Sequence, residues 1–186
     1  MISSATLNDY DIDAEAIERM LLQRISTGDR AALGQMYRNY HGTLCRLLSR
    51  LTRRSDIIDE IINDCFWIAC RNADSFHGDS RVSTWILSIA YRCGLQALRQ
   101  HDELGEDDAL QGQSIDTSES GEDRELRDWL SKGFDHLPLN QRVAIELVYG
   151  VGYSLADVAI IMECPIDTVR ARLLHARIKL LNVLST

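Results

Sequence analysis

Residues 154–173 read SLADVAIIMECPIDTVRARL and carry the clearest structural pattern in the chain. Ser154, followed three residues later by Asp157, fits a capping box: the serine hydroxyl accepts from the Asp157 amide, and the carboxylate reaches back to the serine amide. After a tight turn at Glu163, Pro165 opens a second helix, because its fixed φ suits a first helical turn. Two short helices joined in this way predict a helix-turn-helix.

The second of these helices is amphipathic, with an outer face that is polar or basic at Thr168, Arg170, Arg172, His175, Arg177 and Lys179. A recognition helix needs this arrangement, since apolar residues fix it to its domain while polar side chains reach base edges and cations neutralise phosphates. The alternative is a solvated face on an ordinary helical hairpin. Asp167 weighs against DNA binding because it repels phosphate, although it can accept from cytosine or stabilise the helix start.

Helices are also predicted upstream, because the chain has only two prolines and its apolar residues recur at spacings of three and four. No stretch alternates as a strand would. The fold class is therefore all-α. The predicted helices cover 14–25, 30–51 with Asp29 as its cap, 56–70, and a segment from Ser83 or Thr84 to about 100, in which Trp85 and Ile89 are expected to lie in the core.

The charge is distributed unevenly along the chain, whose net charge is -8. Residues 1–100 carry 12 basic and 12 acidic side chains, residues 101–128 carry 2 and 11, and residues 129–186 carry 6 and 5. Few apolar residues occur between 101 and 128, so this segment is predicted to be a flexible acidic linker. The low pI describes the linker and does not exclude nucleic acid as a partner of the flanking segments.

Composition excludes several other classes of function. No window approaches the roughly 18 consecutive apolar residues of a membrane span, so we expect a cytoplasmic protein without membrane insertion. The five cysteines share no CxxC spacing, and the five histidines are not spaced helically from one another. We therefore expect no metal and no cofactor. No nucleophile accompanies a general base, so no catalytic residue and no small-molecule substrate are expected.

Two further features stand out in the first hundred residues. The helix at 56–70 crowds polar side chains on one side, at Asp59, Glu60, Asn63 and Asp64. A polar loop with an aromatic residue follows it, containing Phe76, His77, Gly78, Asp79, Ser80 and Arg81.

Six motifs in this order resemble the extracytoplasmic-function (group IV) sigma factors of bacterial RNA polymerase, within the sigma-70 family. They are GDRAAL at 28–33, DEIINDCF at 59–66, FHGDS at 76–80 followed by STWILSIA at 83–90, LP at 137–138 with Arg142, GYSLADVA at 152–159 and CPIDTVRARL at 164–173. Many members have Gly where this chain has Asp167. The resemblance covers the chain from about Ile17 to Leu181.

The resemblance implies two small helical domains joined by the acidic linker. An acidic N-terminal arm would occupy residues 1–16, the sigma-2 helical bundle 17–100, the linker 101–128 and the sigma-4 helix-turn-helix domain 129–186. The implied partners are core RNA polymerase, promoter DNA and an anti-sigma factor. Because the net charge of the two domain segments is near 0 and +1, counterion release is too small for tight DNA binding by the free protein.

The resemblance also assigns residues to each partner. The implied polymerase-binding residues are Asp59, Glu60, Asn63 and Asp64. The implied contacts to the minus-ten element, where a base is flipped from the non-template strand, are Phe76, His77, Asp79, Ser80, Arg81, Arg92 and Arg99. The implied contacts to the minus-thirty-five element are Ser154, Thr168, Arg170, Arg172, Arg177 and Lys179.

Two other interpretations remain open from the sequence. A helix-turn-helix regulator with a helical sensor domain would bind duplex DNA without polymerase, but it leaves the polar helix side and the Phe76 loop unexplained. A small helical enzyme using Asp59, Asp64 and His77 is disfavoured, because carboxylates five residues apart on a helix point in different directions.

Overall fold

The computed structural model describes residues 4–52, 54–103, 134 and 136–184. These residues form seven α-helices and no strand, which confirms the all-α prediction. The helices are α1 (Ser4–Ser26), α2 (Arg30–Leu51), α3 (Ser55–Arg71), α4 (Val82–Glu103), α5 (Leu139–Ile145), α6 (Leu155–Ile161) and α7 (Ile166–Leu184). Most of the predicted linker, from residue 104 onward, lies outside the described residues, and α4 continues three residues past the boundary drawn at 100.

The N-terminal half is a bundle of α1 to α4. A turn joins α1 to α2, where the Asp29 carboxylate accepts from the amides of Ala31 and Ala32 at 2.8 and 3.2 Å, as its predicted role as cap requires. Hydrogen bonds from the Ala32 amide and from Arg24 lower the pKa of Asp29. Helix α1 runs through the boundary at residue 16, so the segment interpreted as an arm continues into the bundle as one helix.

The core of this bundle is formed by apolar side chains at helical spacing on α2, α3 and α4. Leu44, Leu47 and Leu48 of α2 are fully buried, and α2 is continuous through Gly42. Helix α4 approaches α2 closely at Gly94, where an added Cβ would lie 2.6 Å from Cδ1 of Leu51. The absence of a side chain at 94 therefore sets the spacing of these two helices.

The C-terminal half begins at the predicted break, with Pro138 preceding α5. The chain widens into a π-helix over Glu146–Val151 and then turns at Gly152 into α6 and α7. Helix α5 packs on α7 and on α2, and α6 packs on α7 and on α4. The buried residues of the two halves form one continuous apolar cluster, so the halves are in direct contact.

Candidate nucleic-acid and protein interfaces

Helix α3 presents one exposed polar face. Its buried side faces the core through isoleucines, Cys65 and Phe66, whereas the four residues predicted from the sequence all lie in solvent: Asp59, Glu60, Asn63 and Asp64. Trp67 continues this face one turn on and is 64% exposed, which is unusual for so large an apolar side chain. Sequence reasoning missed Trp67, although its spacing of three and four from Asp64 and Asn63 places it on the same face.

The loop after α3 holds an aromatic ring beside a cavity. The ring centroid of Phe76 lies 5.3 Å from that of Trp85 and 5.7 Å from the Arg19 guanidinium carbon. The cavity, about 280 Å³ in volume, is lined by residues of α1 and of the loop, including Arg19, Asp74, Phe76 and His77. Ile89 is buried as predicted, but Trp85 is only half-buried because it packs against the loop.

The conformation of this loop depends on α1. The Glu15 carboxylate accepts from the Val82 amide at 3.3 Å, at the first residue of α4, and from Nε of Arg19 at 2.8 Å. Gly78 adopts a φ of +82°, and an added Cβ there would lie 2.6 Å from Nη1 of Arg19. The contacts of Glu15 with Val82 and of Arg19 with Gly78 join residues 67 and 59 positions apart, and no local pattern in the sequence points to them.

The remaining residues predicted to meet the minus-ten element lie at the surface. His77, Asp79 and Arg81 are exposed in the loop and Ser80 is half-buried. Farther along α4, Arg92 and Arg99 are exposed.

The helix-turn-helix has the predicted form with one difference in its cap. The Ser154 hydroxyl accepts from the Asp157 amide at 3.1 Å, as expected. The Asp157 carboxylate, however, accepts from the Ser154 hydroxyl at 2.6 Å and, with its other oxygen, from the buried Thr84 of α4 at 3.1 Å. The turn between the helices contains Glu163 with a φ of +49°, a left-handed conformation that only a few per cent of non-glycine residues adopt.

Helix α7 places the predicted base-reading side chains in different surroundings. Arg170 donates to the Asp167 carboxylate at 2.7 Å on the exposed surface. Arg172 is half-buried and donates to Sγ of Cys164 at 3.3 Å, so it lies against the turn. Thr168 is also half-buried, whereas Arg177 and Lys179 are exposed on the outer face.

Besides the bond between Thr84 and Asp157, several polar contacts cross between the two halves. Nε of Arg50 donates to the buried Glu146 carboxylate at 2.9 Å, and the Tyr91 hydroxyl donates to Asn140 at 3.1 Å. At the edge of the contact Arg92 pairs with Glu163 at 3.0 Å. Arg92, which is predicted to contact the minus-ten element, thus contacts the turn of the helix-turn-helix.

The site geometry does not support the interpretation as a small enzyme that uses Asp59, Asp64 and His77. The histidine beside Asp59 is His41, at 3.4 Å, and not His77. Burial raises the pKa of the four thiols at Cys45, Cys65, Cys70 and Cys93. Such thiols are poor nucleophiles at neutral pH, because the thiolate is the reactive form. Among the described residues, no helix combines the length and apolar character that a membrane span needs.

The fold and these surfaces define an all-helical DNA-binding protein in which a helix-turn-helix is paired with a helical bundle. Two family models match the chain: "Sigma-70 region 2" over residues 36–103 and "Sigma-70, region 4" over residues 127–180. The chain belongs to the sigma-70 family, in its extracytoplasmic-function group. It is therefore a transcription initiation factor of a family that is not enzymatic.

Individual relatives support this assignment. The chain is 29% identical over 173 residues to the ECF RNA polymerase sigma-E factor of Escherichia coli K12, covering 86% of this chain and 90% of that protein. It is 31% identical over 173 residues to that of Haemophilus influenzae, with 86% and 91% covered.

Two solved structures share the fold. CnrH in complex with the cytosolic domain of CnrY has a TM-score of 0.68 at 20% identity and covers 91% of this chain and 97% of its own. RpoE in complex with the anti-sigma factor NepR from Bartonella quintana has a TM-score of 0.66 at 24% identity, with 82% and 96% covered.

Proposed function

We propose that this protein binds core RNA polymerase through the exposed face of α3 and guides it to promoters through the Phe76 loop and α7. The observation that carries the docking assignment is the composition of that face. Four polar side chains and the exposed Trp67 lie on a helix whose opposite side is buried. An exposed aromatic residue among charged groups is typical of an interface hot spot with a polar rim.

The minus-ten element would be opened by capture of a single base beside Phe76. Unstacking a base costs a few kcal/mol, and stacking on an aromatic ring offsets it by about 1–3 kcal/mol. The Phe76 ring is positioned for this role by Trp85 on one side and Arg19 on another, next to a cavity of about 280 Å³.

The minus-thirty-five element would be read by α7, with Ser154 at the start of α6 near the DNA backbone. Arg177 and Lys179 are exposed and suited to phosphate contacts, while Thr168 and Arg170 lie in the first two turns, nearest the bases. Arg172 would contact DNA only after leaving Cys164. Asp167 holds Arg170 at 2.7 Å and therefore tunes how far that guanidinium reaches toward a base.

Promoter binding would require the two halves to separate. Elements centred about 25 base pairs apart lie about 85 Å apart along B-DNA, at about 3.4 Å per base pair. In the structure Arg92 and Glu163, which belong to the two halves, are only 3.0 Å apart. Residues 104–133 have a covalent length of roughly 100 Å when fully extended, enough to span that distance. The packed arrangement is the form of the protein before it engages polymerase.

An anti-sigma partner would hold the protein in an inactive state by covering these same surfaces. The structural relatives CnrH and RpoE are each bound to a partner, CnrY and NepR. Here the exposed apolar residues Ile160 on α6 and Leu174 and Ile178 on α7 offer a docking strip beside the helix-turn-helix. The protein would act in the cytoplasm, without catalysis of its own and without a small-molecule substrate.

Polymerase capture by tagged full-length protein tests the docking assignment. Glu60→Lys is expected to reduce capture of purified core polymerase at least tenfold, because it reverses a charge on the exposed face of α3. Asp167→Lys reverses another exposed acidic charge, on α7, and serves as the matched control, with capture unchanged. Equal capture by both variants would refute the assignment of α3.

Promoter opening tests the loop separately. Phe76→Leu retains an apolar side chain and loses the aromatic face, so opening by the holoenzyme is expected to fall roughly 5- to 150-fold, from about 1–3 kcal/mol of lost stacking. Capture of polymerase should be unaffected. Fluorescence of a 2-aminopurine placed in the minus-ten element reports the opening. Unchanged opening by Phe76→Leu would contradict the role of this ring.

A further inference from the structure

Three side chains of different chemistry converge between α2 and α3. His41 and Cys45 lie one helical turn apart on α2, and Asp59 extends toward them from α3. Nε2 of His41 is 3.4 Å from Oδ1 of Asp59, and Sγ of Cys45 is 3.7 and 3.9 Å from the two ring nitrogens of His41. Among the described residues, this is the one group of three potential metal ligands whose atoms all lie within 4.8 Å of one another.

These separations suit tetrahedral coordination. A Zn²⁺ ion bound at about 2.0–2.3 Å by nitrogen, oxygen and sulfur holds its ligand atoms about 3.3–3.6 Å apart. The distance from Nε2 to Oδ1 already falls in this range, the distance of 3.9 Å from the same Nε2 to Sγ exceeds it by about 0.3 Å, and all the ligand atoms lie within 4.8 Å of one another. Closing the site around an ion therefore requires rotation of these exposed and half-buried side chains.

The surroundings orient the ligands and leave them accessible. The Tyr37 ring lies 5.3 Å from the His41 ring and 5.0 Å from the Phe66 ring, so aromatic packing fixes the imidazole on one side. The side chains of His41 and Asp59 are 39% and 73% exposed, so an ion can enter from solvent and keep a water molecule as its fourth ligand. A thiolate with an imidazole selects borderline ions such as Zn²⁺ over Mg²⁺ or Ca²⁺.

We propose that His41, Cys45 and Asp59 form a binding site for one divalent transition-metal ion of the Zn²⁺ class, and that occupancy of this site weakens docking on polymerase. Binding forms a metal–sulfur bond and releases the thiol proton of Cys45 to the buffer, with no change in oxidation state. The second half of the proposal rests on the proposed function, because Asp59 belongs to the α3 face. A bound ion would withdraw the Asp59 carboxylate from that face and cancel its negative charge, because the two positive charges of the ion are balanced by that carboxylate and by the Cys45 thiolate.

Titration of the full-length protein with Co²⁺ tests the site independently of transcription. We expect one equivalent to produce a thiolate-to-cobalt charge-transfer band and the intense visible bands of tetrahedral Co²⁺, with Zn²⁺ displacing it. Cys45→Ser should abolish the charge-transfer band, and His41→Ala should weaken binding by roughly tenfold or more. Cys70→Ser, which removes another half-buried thiol, is the matched control and should bind as the unaltered protein does.

Two results would overturn the metal site: absence of these bands with excess Co²⁺, or their persistence in Cys45→Ser. Circular dichroism of Cys45→Ser verifies that the helices are intact. Capture of core polymerase with and without Zn²⁺ tests whether occupancy of the site weakens docking. We expect Zn²⁺ to reduce capture by the unaltered protein and to leave capture by Cys45→Ser unchanged. Equal capture by the unaltered protein in both conditions would overturn the regulation alone. No capture in either condition would instead contradict the proposed function.

Discussion

Replacing Glu146 by Gln is expected to loosen the contact between the two halves. The Glu146 side chain is 7% exposed, and its carboxylate accepts from Nε of Arg50 at 2.9 Å. The Arg50 side chain is 34% exposed, and its guanidinium carbon lies 4.8 Å from the Phe134 ring centroid. The carboxylate also lies tightly against Gly150, where an added Cβ would be 2.5 Å from Oε1. Gln is therefore chosen because it retains the shape and removes only the charge.

The magnitude follows from the burial of the two partners. A hydrogen bond to a charged group contributes about 1.5–3 kcal/mol. Removing one partner of a fully buried ion pair costs roughly 3–5 kcal/mol of stability. We expect a smaller loss here, because Arg50 stays accessible to water. Because Gln keeps an oxygen that can accept from Arg50, about 1.5–3 kcal/mol is the upper bound of the loss, and it shifts the ratio of packed to separated protein by at most roughly 10- to 150-fold, at about 1.4 kcal/mol for each factor of ten.

Hydrogen exchange of the amides in α4 and α6, together with the radius of gyration from small-angle scattering, measures this shift. Glu146→Gln should exchange faster at both helices and have the larger radius. Glu163→Gln is the matched control: it removes a second ion pair between the halves, whose side chains are 53% and 55% exposed, and such pairs contribute at most about 1 kcal/mol. Equal behaviour of the two variants, or an Arg50→Met and Glu146→Gln double-mutant cycle without coupling, would refute the reasoning.

Three further variants test other parts of the structure. Asp167→Asn removes a negative charge near the DNA and frees Arg170, so the holoenzyme should bind its promoter more tightly. The slope of the logarithm of the binding constant against the logarithm of the salt concentration should become steeper by about 1. An unchanged slope would argue against this placement of α7. Gly78→Ala places a methyl group against Arg19 on a backbone with a φ of +82°, at a cost of about 1–2 kcal/mol. Promoter opening by the holoenzyme should be impaired while polymerase capture persists. Normal opening would contradict the loop geometry. Burial raises the pKa of Glu18 above its ordinary 4.5, so ionisation of this carboxyl destabilises the fold progressively as the pH rises from 4.5 to the raised value, and fully above it. Glu18→Gln should therefore melt at a higher temperature than the unaltered protein at pH 7, with the difference vanishing below pH 4.5, and a difference independent of pH would contradict this assignment.

The helices could be predicted from the sequence because their signals are local. The Asp29 cap, the apolar spacing that carries α2 through Gly42, and the break at Pro138 each act within a few residues. The exposed face of α3 was predictable for the same reason, since Asp59 and its neighbours lie on one side of a single amphipathic helix.

Contacts between distant segments could not be predicted in this way. Nothing near Glu15 indicates that its carboxylate will accept from the amide of Val82, and nothing near Asp157 indicates that it will bond to Thr84 rather than to the Ser154 amide. Both pairings depend on how whole helices pack, which the spacing within one helix does not encode.

The group at His41 shows a second limit of reading the sequence by pattern. The expectation of no metal site was based on the spacings between histidines and, separately, on the spacings between cysteines. A His and a Cys four residues apart do share a helix face, but the third member of the proposed site, Asp59, comes from the neighbouring helix. Only the packing of α2 against α3 brings it within 3.4 Å of the imidazole.

Run-off transcription with purified core polymerase on a library of genomic fragments tests the central claim most directly. Core polymerase mixed with this protein should produce discrete transcripts from a subset of fragments, whereas core polymerase alone should not. The protein alone should shift those same fragments only weakly. Absence of specific transcripts with core polymerase, or strong specific binding of the fragments without it, would contradict the account.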